Sequence, residues 1–276
     1  MSTALANIAS KLPPQFPSNI GLGITALQLF VTATSYSTET NPETRAKYSK
    51  FSQANGKDPS ATWPSRFAMM VIYTPALLVA LAILLAPHAL PEAGLPSPSL
   101  AAAMCAIHFG KRCLEVMFLH KYSGRTDCAT PSMIGVYYAL TTLLISFAND
   151  ASIRFDNDGR THAKIMVGST LFTVGLLGNF YHHYLLANLR NAIKTTKYVA
   201  PTGGLFEFVA TPHYLFELIG WIGVAIVSHQ LNVYLVVTSM MSYLGGRSVA
   251  QNEFNRRTFN EKDWPRDRKN IVPFIF

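Results

Sequence analysis

Charge is scarce in this chain. Only 14% of its 276 residues are Asp, Glu, Lys or Arg, against 49% hydrophobic, and the mean hydropathy is +0.20. That is too apolar for an ordinary soluble domain of this length, and a polytopic membrane protein fits better. Cysteine is nearly missing as well. Cys105, Cys113 and Cys128 are odd in number and lack C-x-x-C spacing, so neither a disulfide framework nor a zinc site is implied. The first 18 residues have no basic stretch followed by an apolar run, so no cleavable signal peptide is expected. Span one then reads as an uncleaved signal anchor. No basic stripe with interleaved aromatics appears, which removes the case for nucleic-acid binding. Nor is there a G-x-G-x-x-G turn between a strand and a helix, so no Rossmann domain is present. The eight histidines never fall in H-x-x-x-H or H-x-x-H-H boxes, the spacing that membrane di-iron enzymes need, and no metal is expected.

What the chain does have is apolar runs. Stretches of about 20 residues, enough to span a bilayer, can be drawn near 19–36, 67–87, 98–119, 132–149, 165–186, 213–228 and 231–244, the last two short and tightly joined. The expected fold is all-α, one domain over 1–276, with seven transmembrane helices enclosing an intramembrane cavity for cofactor and substrate. The polar segment 37–66 and the Pro-rich 88–98 read as loops within that domain. The tail from Gly245 to Phe276 is basic and aromatic, and its last five residues are expected to dock back onto the membrane core.

Three polar constellations interrupt this apolar background. Ionisable groups in a span cost on the order of 2.5 to 3.5 kcal/mol each, so they usually face a cavity or a ligand. The first is HFGKRCLEVMFLHKYSG, 108–124, where His108, Arg112, Glu115 and Leu119 share a helical stripe and Lys111 pairs with Glu115 at i, i+4. A membrane helix ending in cytosolic anchors, with Glu115 exposed, explains the same residues. The second is GNFYHHYLLANLR, 178–190. Asn179, His182 or His183, Leu186 and Arg190 form a polar stripe, which reads as a ligand site or as interhelical hydrogen bonding. The third is PTGGLFEFVATPHYLFELIGW, 201–221, where a Gly203-Gly204 turn precedes a helix placing Tyr214, Glu217 and Trp221 at i, i+3 and i+7.

These strings resemble the steroid 5-alpha-reductase superfamily, which includes the very-long-chain trans-2-enoyl-CoA reductases. The third string resembles the "GGLF … NY/HY … E … W" signature, the first the "H-x-x-K-R-x-x-E-x-x-F-x-H" segment of the enoyl-CoA reductases, and the second the family's "N … H/D … LR" cofactor segment. The tail resembles the family's C-terminus. The likeness is strongest over 65–276.

The resemblance implies an enzyme of the endoplasmic-reticulum membrane that uses NADPH to saturate a C=C bond conjugated to a carbonyl in a lipid. A trans-2-enoyl-CoA is the first expectation, and a steroid or polyprenol the alternative. A non-catalytic membrane partner is a second alternative. Acyl-CoA or a membrane lipid, the bilayer and a lipid-synthesis complex are the expected partners. By resemblance Tyr214 is the proton donor with Lys111 beside it. Asn179, His183, Arg190, His213, Glu217 and Arg247 contact NADPH, and Phe109, Tyr73, Phe206 and Trp221 line the substrate. The chain also departs from the steroid enzymes. Their Glu in span two and their Tyr after the His of "HYxHR", which polarise the steroid ketone, are replaced here by Ile72-Tyr73 and by Phe109. The family's tail "WY" is Phe254-Asn255.

The basic residues set an orientation, because short cytoplasmic loops retain Lys and Arg. The segments 37–66, 110–131, 187–213 and 243–276 hold 19 of the 23 basic residues, leaving 4 for the other side. The N-terminus is therefore expected in the lumen and the C-terminus in the cytosol. A glycosylation acceptor added at the N-terminus should be modified and one added after Phe276 should not, and the reverse pattern would refute the orientation.

Overall fold

The computed structural model describes residues 19–46, 63–86, 99–122, 124–153, 159–192 and 199–276. The expectations made for the first 18 residues, for most of the 37–66 loop and for all of 88–98 lie outside the described residues.

Among the described residues, seven long helices stand where the apolar runs were drawn: α1 (Asn19–Thr40), α2 (Ser65–Leu85), α3 (Leu100–Leu114), α4 (Ala129–Ile153), α5 (Gly159–Ala192), α6 (Pro212–Ser228) and α7 (Leu231–Thr258). Three of them contain segments long and apolar enough to cross a membrane, Ser65–Leu85, Ala129–Phe147 and His162–Leu189, while Pro212–Ser228 is apolar but shorter. The remaining helices carry more polar side chains, and the structure uses those for helix pairing.

Local chemistry fixes the helix ends. The Ser99 side chain accepts from the Ala102 N–H at 3.1 Å and caps α3. Asp127 does the same for the start of α4, accepting from the Thr130 N–H at 2.7 Å. Pro212 occupies the first turn of α6, where its missing N–H costs nothing. His229, in the left-handed region at φ 47°, then turns the chain sharply into α7. Beyond Leu114 the third helix widens into a π turn, Glu115–Leu119. A two-residue antiparallel pair, β1 (Trp63–Pro64) with β2 (Arg125–Thr126), ties the entry of α2 to that of α4.

Packing is most extensive between α5 and α6, then between α1 and α7, α2 and α4, and α2 and α3. The α1–α7 seam is polar: Gln28 donates to the Asn232 carbonyl at 2.9 Å, Asn232 returns a bond to Gln28 Oε1 at 3.0 Å, and Thr32 meets Ser239 at 2.9 Å. The α5–α6 contact rests on glycine. A methyl at Gly175 would stand 2.3 Å from the Gly220 nitrogen, and one at Gly223 would stand 2.4 Å from the Gly168 carbonyl oxygen. The two backbones therefore touch, as small residues allow in membrane bundles. The apolar core joins α2 to α7 through Ile72, Ala76, Met104, Phe109, Ile145, Trp221 and Val233.

The tail does fold back, and of its last five residues Val272 packs against the buried cluster and the Phe274 ring lies 5.5 Å from Phe208. Ala210 and Thr211 N–H groups donate to the carbonyls of Lys269 and Asn270 at 2.8 and 3.0 Å, and Ile271 is buried with Leu218 and Leu244. Phe274 and Ile275 are instead 78% exposed, because the chain turns at 272–275 to bring the Phe276 carbonyl back to the N–H groups of Ile271 and Val272.

The α5–α6 contact gives a direct stability test. Gly175→Ala should lower stability by about 1–3 kcal/mol, the usual cost of overpacking. Gly110→Ala, whose new methyl meets nothing closer than 3.8 Å, should not. Thermal unfolding in detergent distinguishes them, and equal melting temperatures would refute the close contact.

Candidate functional site

α3 is the centre of the site. Successive residues Lys111 and Arg112 project from its last turn, and Glu115 opens the π turn one helical step on. Both cations reach the Glu115 carboxylate, Lys111 Nζ at 2.9 Å from Oε1 and Arg112 Nη1 at 2.8 Å from Oε2. Glu115 is 2% exposed. Of the two readings of this stripe, the one that leaves Glu115 exposed at a helix end is set aside: four residues on from Lys111 and three from Arg112, the carboxylate shares their face of the helix and is directed toward α5. There it meets His183, whose Nδ1 lies 3.1 Å from Glu115 Oε2 and 3.0 Å from Arg112 Nη1. One ring nitrogen serves either partner, donating to the carboxylate or accepting from the guanidinium, but not both.

A second, half-buried carboxylate sits nearby. Glu217, on α6, accepts from Asn179 Nδ2 at 3.0 Å and from the Trp221 indole N–H at 3.2 Å, and lies 3.3 Å from His108 Nε2. Asn179 joins the two halves. Its carbonyl accepts from Lys111, and its amide also donates to the His213 carbonyl at 2.9 Å. Two carboxylates and two cations thus form one connected network across α3, α5 and α6, between which burial makes each unpaired charge costly.

The two adjacent histidines on α5 separate into different roles. His182 Nδ1 donates to the Gly178 carbonyl at 2.7 Å and its Nε2 accepts from the Leu205 N–H at 3.1 Å. That fixes a neutral tautomer and makes His182 a joint between α5 and the Gly-Gly turn. The turn has the geometry its sequence predicts, with Gly203 at φ 85° and Gly204 at φ 54°, conformations that glycine adopts without strain. Glu207 closes it by accepting from the Gly203 N–H at 2.7 Å. Phe206 is buried beneath, its ring 5.6 Å from His182 and 6.2 Å from His213. Among the described residues His213 Nδ1 is buried and has no hydrogen-bond partner, a group that a bound ligand could satisfy.

Of the residues singled out by sequence, the structure joins Lys111, Asn179, His183, Glu217 and Trp221 in this network, and Tyr73 reaches it through Arg112. The Tyr73 hydroxyl accepts from Arg112 Nη2 at 2.5 Å, with the guanidinium carbon 4.6 Å from the ring centroid. Phe109 packs against Trp221 at 6.0 Å and Tyr138 at 5.5 Å. Tyr214 lies beside His213, ring centroids 4.4 Å apart, and packs with Leu218, Leu244 and Ile271. Arg247 forms a buried ion pair with Glu39 at 2.9 Å and donates to the Ala46 carbonyl, at the contact of α7 with α1. The Arg190 side chain lies outside the described residues. Sequence reasoning placed Arg112, Glu115 and His108 on a stripe without giving them site roles; their signal was three ionisable residues in one apolar helix.

The structure also gathers Glu115, His120 and His183 with potential metal-ligating atoms within 4.8 Å of one another. Spacing rules miss such a set because its members come from α3, the loop after it and α5. The carboxylate here is already shared by Lys111 and Arg112, and a divalent ion would stand against both cations, so the arrangement suits an ion-pair network better than a metal. Burial, with His183 and Arg112 nearby, pushes the His120 imidazole down to about 3, leaving it neutral. A larger cavity of about 280 Å³ lies at the tail, lined by Arg256, Arg266, Arg268 and Lys269 among others. Arg268 stacks on Trp264 at 4.0 Å and is 7% exposed, with Nε and Nη1 unbonded.

Comparison with known proteins gives the family. The family model for 3-oxo-5-alpha-steroid 4-dehydrogenase matches residues 129–276. Human 3-oxo-5-alpha-steroid 4-dehydrogenase 1 is 29% identical over 213 residues, 77% of this chain and 81% of that protein. The Macaca fascicularis 3-oxo-5-alpha-steroid 4-dehydrogenase 2 is 29% identical over 228 residues, covering 79% and 84%. The very-long-chain enoyl-CoA reductase of Dictyostelium discoideum is 28% identical over 188 residues, covering 63% and 57%.

Removing the hub carboxylate tests the network. Glu115→Ala leaves Lys111 and Arg112 buried beside a void and should cost about 3–5 kcal/mol, the scale for breaking a buried pair. Chemical denaturation of the detergent-solubilised variant measures it, and a loss below about 1 kcal/mol would show that water already screens the site.

Proposed function

Since the chain belongs to the 3-oxo-5-alpha-steroid 4-dehydrogenase family, we propose that it is an NADPH-dependent reductase of a C=C bond conjugated to a carbonyl in a lipid. The observation that carries this reading is the buried network of Lys111, Arg112, Glu115, Asn179, His183 and Glu217, assembled from α3, α5 and α6 inside an apolar bundle. An interhelical lock alone needs fewer ionisable groups. Seven spans, an endoplasmic-reticulum location with a lumenal N-terminus, and a single domain over the whole chain are parts of the same proposal.

The residues present suit a nicotinamide cofactor. Asn179 and Glu217 offer an amide and a carboxylate for a carboxamide group, and His213 Nδ1 is a buried ring nitrogen awaiting a partner. NADPH, when bound, supplies the hydride for the β carbon. The chain's residues hold it, exclude water and stabilise charge as it develops on the substrate carbonyl, an effect strengthened where preorganised donors act at low dielectric. His183, Arg190 and Arg247 remain proposed cofactor contacts, and Phe206 and Trp221 proposed apolar walls.

A trans-2-enoyl-CoA is the first substrate proposed, because the H-x-x-K-R-x-x-E pattern of α3 belongs to that branch by resemblance and the Dictyostelium relative carries the enoyl-CoA reductase name. The steroid reading is supported by the names of the other relatives, and by a site of aromatic side chains that needs no room for a nucleotide handle. Purified protein given NADPH with a long-chain trans-2-enoyl-CoA, and separately with a 4-ene-3-one steroid, decides between them. Oxidation of NADPH with neither would remove the reductase reading for these lipids. Asn179→Ala should weaken NADPH binding by about 1–3 kcal/mol, the cost of leaving buried partners unsatisfied, as read by titration, and unchanged affinity would move the cofactor elsewhere.

A further inference from the structure

The tail beyond α7 holds a charged cavity that the reductase reading leaves unused. From Arg256 to Lys269 the chain carries six basic residues against three acidic, directly after the last helix of the bundle, and basic clusters of this size beside a span suit anionic lipid headgroups. Four of the six, Arg256, Arg266, Arg268 and Lys269, line the cavity of about 280 Å³, where Glu253 and Asp267 oppose them. Arg266 also meets Glu261 at the surface. The lining still keeps an excess of positive charge.

Its wall is held in place by hydrogen bonds. Asn252 Nδ2 donates to the Arg268 carbonyl at 2.8 Å and to Asn270 Oδ1 at 2.9 Å, while Asn252 Oδ1 accepts from the Trp264 indole N–H at 2.9 Å. Arg256 Nη2 donates to the carbonyls of Arg266 and Arg268 at 2.8 and 3.2 Å. The Arg268 guanidinium lies 4.0 Å over the Trp264 ring, 7% exposed, and among the described residues its Nε and Nη1 have no hydrogen-bond partner. Buried donors of a cation that are left unsatisfied are costly, and an anion is the group that satisfies them. Burial pulls this guanidinium below its ordinary value, and Glu207 and Asp267 offset only part of that.

An exposed apolar edge beside the basic wall points to the class of anion. Ile275 and Phe276 line the same cavity, Phe274 and Ile275 are 78% exposed, and the exposed Phe208 ring lies 5.5 Å from Phe274. A methyl at Gly245, the residue after the apolar run 231–244, would stand 4.0 Å from the Phe276 ring, and Val272 packs with the cluster of Leu218 and Leu244. The edge therefore stands where the apolar part of α7 ends, at the level where headgroups meet the hydrocarbon. A soluble nucleotide would use the cations and leave the rings bare. A phospholipid uses both.

We propose that the tail cavity binds the headgroup phosphate of an anionic phospholipid, with Phe274 and Ile275 among its acyl chains. The cavity shares no lining residue with the α3–α5–α6 network, so the proposal stands apart from the reductase reading. It agrees with the cytosolic C-terminus proposed above, since anionic lipids are concentrated in the cytoplasmic leaflet.

The test titrates phosphatidic acid carrying a fluorescent acyl chain into the full chain in neutral detergent. Unlabelled phosphatidic acid should displace the label, while phosphatidylcholine, coenzyme A and NADPH at the same concentration should not. A parent that binds no labelled lipid overturns the proposal. Equal displacement by phosphatidylcholine overturns it by revealing an unselective lipid surface, and stronger displacement by coenzyme A or NADPH overturns it by revealing a nucleotide site. Combining Arg266→Gln with Lys269→Gln changes two exposed side chains and should weaken binding by roughly 25-fold, about fivefold for each basic residue removed. Affinity unchanged from the parent in that double variant overturns the proposal. Arg268→Gln should weaken binding at least as much as either exposed substitution, and if it loses its fold the double variant decides alone.

Discussion

The structure depends on balancing charge where water is absent. Glu115 and Glu217 are carboxylates inside an apolar bundle, and each isolated ion would cost several kcal/mol to desolvate. Lys111 and Arg112 offset the charge, and Asn179 connects the two halves by accepting from Lys111 and donating to Glu217. This ties the positions of three helices together. α3 cannot rotate without separating Lys111 and Arg112 from Glu115's partner His183 on α5, and α6 cannot slide along α5 without pulling Glu217 from Asn179. Specificity of helix register, more than raw stability, is what such a network supplies in a bundle whose surrounding lipid gives no hydrophobic drive for helices to associate.

That polar register works because the backbones are allowed to approach. Asn179 stands one residue beyond Gly178 on α5, and a methyl at Gly178 would lie 2.2 Å from the Phe216 ring, the residue just before Glu217. Together with the Gly175–Gly220 and Gly168–Gly223 contacts, this keeps Asn179 within hydrogen-bond reach of both the His213 carbonyl and the Glu217 side chain. The Gly-Gly turn completes the arrangement from outside, since Leu205 anchors to His182 one residue before His183. Small residues thus set the distances, and the charged ones use them.

The positions of the seven helices were legible because hydrophobic length is written directly in composition, and the helix ends carry local signals such as Ser99, Asp127 and Pro212. The Asn179–Glu217 relation was legible only as two polar stripes; nothing in the spacing of either said that they face each other. Glu115 was legible as a member of the His108–Arg112 stripe and as the i, i+4 partner of Lys111, with an exposed helix end as the competing reading; its contact with His183 on α5 was not legible. The glycines of α5 and α6 passed unremarked, since their meaning is a contact between distant segments. In the tail, docking is made by Ile271, Val272 and the backbone of 269 and 270, while Phe274 and Ile275 stay largely exposed. Where local periodicity competes with a turn or an interhelical contact, the tertiary term wins.

The substitutions that set this chain apart lie along the aromatic wall of Tyr73, Tyr138, Phe109 and Trp221, and Phe109 packs 6.0 Å from Trp221, whose indole N–H donates to Glu217. Ile72 and Phe109 belong to the apolar core, 3% and 1% exposed, so the positions where the steroid enzymes carry polarising groups have become packing. A buried phenol survives between them in space: Tyr73 follows Ile72, and its ring reaches the Phe109 side through Tyr138. Its position requires Arg112, and Arg112 in turn requires Glu115 to hold a guanidinium in so apolar a place. Glu115 is therefore the group on which both the Glu217 half of the network and the aromatic wall rely. Lys111 links it to Asn179 and Glu217, and Arg112 links it to Tyr73.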